Sequence, residues 1–353
     1  MKYIMKRIKI SLLLAVSAMM ILSSCNKSVD QIPYTPLPVQ ATTPTLATTS
    51  LRFTMFIPND AAMTASGLSL AVINALPASS VTPLVSYMII PQTINSGSIP
   101  TFFPNFAYPT IYNPAPALSA LLRLTTSPSN RNGYWLNNIP IVQLDIPAVN
   151  GVAHRIALAA APPSRYLWDR VNTDADLTIL KAAITRADSG VVVTSSSSLI
   201  GALQNIGANL TLLAPSNQAF KNLIAALTGG AINNAQPDAT YIAFLGSSSV
   251  TTQTVKGIVV YHILSQGRAF LNNFPTSATS YPTLLNGAIP THPGVSLKCT
   301  FTAGTITSAI AKGVVNASAS NIAINPTPDP SGTSDQHFIN GTLHKIDQVL
   351  LPQ

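Results

Sequence analysis

The stretch "TLLAPSNQAF" at residues 211–220 is written a second time, with small changes, as "TMFIPNDAAM" at residues 54–63. Thr, Pro and Ala hold the same places in both. Phe53, Met55 and Ile57 in one copy, and Leu210, Leu212 and Ala214 in the other, alternate as a half-buried strand does. Pro58 and Pro215 end the strands, because proline has no N–H for a ladder. Asn59 or Asp60, and Ser216 or Asn217, then stand where a side-chain oxygen can cap a helix. Ala62-Met63 and Ala219-Phe220 open the inward face. Strand, proline, cap, helix is a packing unit, not a reaction centre.

Two further blocks repeat in the same order. "VSYMIIP" (85–91) answers to "VVYHILS" (259–265), with a Tyr at the same place. "DIPAVNGVAHRI" (145–156) answers to "DQHFINGTLHKI" (335–346), with Asp145/Asp335, Asn150/Asn340, Gly151/Gly341 and His154/His344 in step. Asn-Gly between apolar runs is a turn signal. The separation grows from 157 to 174 to 190 residues, so the second copy carries longer inserts. The chain is therefore expected to hold two related domains, 51–160 and 164–353. Before its strand the second copy has Leu177, Leu180, Ala183 and Ile184 at helical spacing, with Asp176 or Thr173 as cap. The first has only a Pro/Thr-rich stretch there, and so is expected to lack the opening helices.

The start of the chain bears on location. Lys2, Lys6, Arg7 and Lys9 precede the apolar run "ISLLLAVSAMMIL", and "LSSC" ends at Cys25. A basic segment, a short apolar segment and small residues describe a secretory signal over 1–24. The run is short for a membrane span. Leu22-Ser23-Ser24-Cys25 resembles a bacterial lipobox, which implies cleavage before Cys25 and lipidation of it; several acyl chains give durable anchoring. Residues 25–50, with Pro33, Pro36, Pro38 and Pro44, read as a stalk. With Cys25 lipidated, Cys299 is the one cysteine left with a free thiol, so no intrachain disulfide is available.

The formal charge of +8 falls to +4 once the signal is removed, and charged residues make up only 8% of the chain, against about 25% in a typical globular protein. All eleven acids are Asp. This argues against nucleic-acid binding, which needs clustered Lys and Arg, and removes the usual material for carboxylate-pair catalysis.

"TLLAPSNQAFKNL", "VVYHIL" and "NGTLHKIDQVLLP" resemble the three blocks of a fasciclin domain, and "FTMFIPNDAAM", "VSYMIIP" and "NGVAHRI" resemble them in a more divergent copy. The resemblance implies an α+β fold: two domains, each a wedge-shaped β-sandwich with helices packed on one side. It implies an adhesive or scaffolding role without catalysis or cofactors. The tandem behind a lipobox is similar to members from the Bacteroidetes, which places the expected anchor in the outer membrane, facing the cell surface, with an envelope protein or glycan as partner. The alternative is a module holding a polysaccharide or a small hydrophobic molecule.

The candidate contacts are few. Tyr261-His262 matches the family's Tyr-His pair, linked to integrin binding in animal members, yet it sits in an apolar run that reads as a helix end or buried strand, where a histidine is more often a satisfied core residue than a ligand contact. Tyr87-Met88 holds its place in the first copy. Phe102, Phe103, Phe106, Tyr108 and Tyr112 in the first insert, with Phe274 and Tyr281 in the second, either face a partner or fold back over the core. His154 and His344 read as strand residues bonded to backbone, Asp145 and Asp335 as carboxylates ordering their turns, and Cys299 as a small buried hydrophobe. The five His show no zinc-ligand spacing, and no G-x-S-x-G elbow or phosphate loop occurs. No catalytic, cofactor or metal site is expected.

Overall fold

The computed structural model describes residues 52–265 and 267–353. The signal, Cys25 and the stalk lie outside the described residues. The chain forms two compact units. The first takes the described residues up to Ile99, then Tyr108–Asn130 and Tyr134–Pro162; the second takes Pro100–Ala107, Arg131–Gly133 and Pro163–Gln353. Two pieces of the first half of the sequence thus belong to the second unit.

The repeat seen in the sequence is a repeat of strand register. In the first unit Phe53–Pro58 lies parallel to Gly151–Ile156, with Phe53 opposite Gly151 and Met55 opposite Ile89. In the second, Leu210–Pro215 lies parallel to Gly341–Ile346, with Leu210 opposite Gly341 and Leu212 opposite Ile263. The first unit's sheet runs Ile89–Ile90, Phe53–Pro58, Gly151–Ile156, Ile139–Ala148, Trp135–Leu136, Pro128–Ser129. The second unit has a sheet in the order Ile263–Leu264, Leu210–Pro215, Gly341–Ile346, Gln336–Phe338. Its other sheet runs Thr279–Tyr281, Val295–Thr302, Thr305–Lys312, Ser320–Asn321.

The central strands are more deeply buried than their alternation predicts. Every residue of Leu210–Pro215 and of Gly341–Ile346 is buried. In the first unit Thr54 and Phe56, expected to face outward, are 0% exposed. The reason is a layer on each face, as for parallel strands generally. Leu210, Leu212 and Ala214 join a core with helix residues such as Leu180, Ile184 and Phe220. Leu213 joins a second core with Tyr261, Val295, Leu297 and Ile346, between the sheets.

Asn-Gly marks more than a turn. A Cβ on Gly341 would stand 2.2 Å from the Leu210 carbonyl oxygen, and one on Gly151 would stand 1.9 Å from that of Phe53. Glycine is needed there so that the partner strand can approach. Asn340 accepts the Leu167 N–H at 3.0 Å, tying the first helix of the unit to this corner.

The helices follow the caps. Asn59 accepts from Ala62 N–H, and Ser216 from Ala219 N–H. Helices Asp60–Ala65, Leu70–Ala75 and Ala78–Tyr87 stand in the same order as Asn217–Leu227, Asp238–Gly246 and Thr252–Tyr261. The second unit also has Leu167–Thr173, Thr178–Ala187 and Leu199–Gln204 before its strand. Among the described residues the first unit begins at its strand, without counterparts of these. The cap before Thr178–Ala187 differs from the reading: Asp174 accepts from Asp176 N–H, and Asn217 on a neighbouring helix accepts from Ile179 N–H at 3.1 Å.

Candidate binding surface

Tyr261 and His262 face inward, at 0% and 1% exposed, and so offer no surface to a partner. The Tyr261 hydroxyl donates to Gly294 O at 2.6 Å and accepts from Val314 N–H at 3.1 Å. His262 donates from Nδ1 to Ile258 O, and its Nε2 accepts the Leu350 N–H, both at 2.8 Å. Burial lowers its pKa to about 4, so the ring stays neutral in this tautomer. The pair braces the end of a helix against the second sheet and the segment around Leu350. Tyr87 repeats half of the brace, donating to Thr125 O at 2.9 Å.

Asp335 and His344 form a second brace. The Asp335 N–H donates to His344 Nδ1 at 3.1 Å, so the ring proton sits on Nε2, 2.7 Å from Ala269 O. Thr211 Oγ1 accepts from Ala269 N–H, and Asp335 Oδ1 from Leu271 N–H at 2.8 Å. The first unit repeats all of this: Asp145 N–H to His154 Nδ1, His154 Nε2 to Ile94 O, Ile94 N–H to Thr54 Oγ1, and Ser96 N–H to Asp145. Each Asp has positive φ, 53° and 51°. The carboxylates therefore order a distant short helix, Ser96–Ser98 or Leu271–Asn273, rather than their own turns.

The two copies differ in burial. Asp145 is exposed, and its hydrogen bonds from Ser96 hold its carboxyl below the usual range. Asp335 is buried, which raises its carboxyl to about 7, against the partial help of the Leu271 N–H. A carboxyl whose folded pKa is raised favours folding most at low pH and loses that contribution as pH climbs toward the folded value. Asn keeps an acceptor for Leu271 and tolerates positive φ. The stability gained by Asp335→Asn is expected to grow between about pH 4 and pH 7 and to level off at several degrees. Melting curves across that range check it; a gain that does not vary with pH contradicts a proton on Asp335.

The aromatic residues of the inserts divide. Phe274 is 0% exposed and covers the core between the sheets, so it faces no partner. Phe103 is half-buried, its ring 5.4 Å from that of Phe274 and 4.5 Å from that of Tyr281. Tyr281 is also half-buried, at the end of an edge strand. Tyr108 and Tyr112 belong to the first unit and are half-buried; Tyr108 pairs with Thr126, and burial raises its phenol pKa. Phe102 and Phe106 remain open, at 54% and 48% exposed, edge to face with centroids 6.0 Å apart.

Polar residues with no sequence signal hold this insert in place. Asn105 N–H donates to Arg268 O at 2.9 Å, and its Oδ1 accepts the Phe270 N–H. Asn273 donates to Phe102 O at 3.1 Å. Asn132 donates to Asn272 O and Phe274 O at 3.0 and 3.1 Å. Arg268 is 2% exposed and donates to Phe338 O, Ile339 O, Asn209 Oδ1 and the His337 ring. Nothing local in "FPNFA" or "SNRNG" points to partners well over a hundred residues away. The result is two open phenyl rings on a segment anchored by buried hydrogen bonds.

Such rings recognise sugar faces or apolar protein anchors. Cys299 is 1% exposed, and burial pushes its thiol up to about 12, which makes it a poor nucleophile. Among the described residues no cluster of three His, Cys or Asp is placed to hold a metal ion, and no helix is long and apolar enough to cross a membrane.

A family model described as the fasciclin domain matches the chain twice, over residues 37–159 and 189–352. Among solved structures, a FAS1 domain pair from the insect cell adhesion molecule Fasciclin I is similar over 85% of this chain and 88% of that one, at 14% identity and a TM-score of 0.37. No curated protein matches the chain.

Proposed function

Because this chain belongs to the fasciclin domain family, twice over, we propose that it is an adhesive or scaffolding protein of the cell envelope, binding a surface protein or glycan without catalysis. The fasciclin domain is an adhesion-related, non-enzymatic module. The observation that carries the reading here is the open pair Phe102 and Phe106, held by a buried hydrogen-bond frame. Exposed aromatic rings on a fixed backbone lose little entropy on binding, which suits recognition. The anchor we propose is the lipid on Cys25, with residues 25–50 as a stalk and the outer membrane as support.

The full mature chain is to be tested against immobilised matrix proteins and glycans. Phe102→Ala with Phe106→Ala is expected to weaken binding at least tenfold and leave the melting temperature within about 2 °C, since neither ring is in a core. Binding that survives the double substitution moves the site elsewhere. Failure to bind any member of a broad panel counts against adhesion. Protease treatment of intact cells is expected to remove the protein; full protection would place it on the inner face.

A further inference from the structure

We propose that the helical layer of the second unit is a binding site for a small, uncharged, hydrocarbon-rich molecule, independently of any adhesive surface. A cavity of about 470 Å³ opens among helices Thr178–Ala187, Asn217–Leu227, Asp238–Gly246 and Thr252–Tyr261. Its volume lies within the roughly 300–1,000 Å³ of small-molecule sites. The floor is Ala183, Phe220, Ile224 and Val259, each at most 3% exposed.

The lining sets the chemistry. No lining residue is ionisable. The rim hydroxyls of Thr251 and Thr254 bond each other at 2.8 Å, and that of Thr228 donates to Ile224 O at 2.8 Å. A charged ligand would lose its hydration here with nothing to replace it. Recognition therefore falls to an apolar body.

A second observation points the same way. Helix Asp238–Gly246 reads DATYIAFLG and has no polar face beyond its first turn. A helix apolar all round is normally buried all round. Here only Tyr241 and Leu245 are buried, and Phe244 turns half-exposed into the cavity. At the mouth Leu227 is 68% exposed. The floor is apolar and the volume is that of a small molecule, so we assign the cavity to one. Among the described residues the first unit has no counterpart of Thr178–Ala187, and there the second alone builds this site.

The probe is N-phenyl-1-naphthylamine, an uncharged fluorophore, titrated into the full mature chain. Saturable binding of one probe per chain is expected, displaced by 1-decanol at least tenfold more readily than by decanesulfonate. Thr254→Trp and Leu227→Trp plug the mouth from two helices, and each is expected to weaken the probe at least tenfold without lowering the melting temperature. Val142→Trp, on an exposed position of the first unit, is expected to change nothing. Absence of saturable binding, or binding untouched by both plugs, overturns the proposal. So does a dimer by sedimentation that Thr254→Trp makes monomeric while the probe does not bind, which would assign the cavity to a second copy.

Discussion

Residues 163–353 produced alone are expected to melt at least 10 °C below the same unit in the whole chain. The cut looks natural from the sequence, yet it removes Pro100–Ala107 and Arg131–Gly133 from the unit they complete. With them goes the Phe103 ring against Phe274 and Tyr281. Loss of a fully buried Phe costs about 3–5 kcal/mol, so half-buried Phe103 contributes about 2 kcal/mol. The Phe270 N–H and the Arg268, Asn272 and Phe274 carbonyls lose the partners Asn105 and Asn132 give them. Each such bond contributes about 1 kcal/mol, and an orphaned buried group costs more. For a domain of this size 1 kcal/mol is about 2–4 °C. The chain has two tryptophans, and Trp168 alone lies in the second unit. In a Trp135→Phe background its emission follows that unit, in the whole chain and in the fragment. Phe103→Ala in the whole chain is expected to reproduce about half of the drop. Coincident midpoints for fragment and whole chain would show that the two segments stabilise nothing.

Arg170→Ala is expected to cost about 3–5 kcal/mol, the range for breaking a buried ion pair by removing one partner. Arg170 is 3% exposed. It bonds Asp329 and Asp174, each at 2.8 Å, and donates to Gly332 O at 3.0 Å and to Pro330 O. Arg165 reaches the other oxygen of Asp329 at 2.6 Å, and Lys345 bonds Asp174 at 2.8 Å. The network ties helix Leu167–Thr173 to the loop near residue 330 and to strand Gly341–Ile346. Alanine leaves two carboxylates and two carbonyls with fewer donors in a site water barely enters. Arg170→Lys is expected to recover less than half, because a point ammonium cannot serve a forked set of acceptors. Burial works to raise the Asp174 carboxyl, but its bonds with Lys345 and the Asp176 N–H, together with the charges of Lys345 and Arg170, bring it below the usual range. Its contribution is therefore present above the ordinary carboxylate pKa and lost as pH falls through the lowered one. Urea unfolding followed by Trp168 measures the cost; a change under 1 kcal/mol would mean the network is incidental.

The two domains were legible because their signal is local and repeated. The blocks separated by 157, 174 and 190 residues are the strands that pair in the same register, Met55 with Ile89 and Leu212 with Ile263. The caps were legible for the same reason. The apolar run favoured burial of Tyr261 and His262 without deciding which groups their polar tips would brace. Only the positions of Gly294, Val314 and Leu350 decide it, and these lie far along the chain. The packing of residues 100–107 with the second unit was not legible for a similar reason. Their partners, Arg268 to Phe274, carry no mark in composition or spacing. The helical cavity was also invisible, since it is the space left when four helices of ordinary pattern meet.

The parallel pairing of an early strand with a late one has a consequence for the order of assembly. Phe53–Pro58 has its parallel neighbour only once residue 156 has been made, and Leu210–Pro215 only once residue 346 has. Until then each early strand has a bare flank, and the long loop between the pair must close before either half is rewarded. Each unit therefore stays unfinished through most of its own synthesis, and snaps shut late.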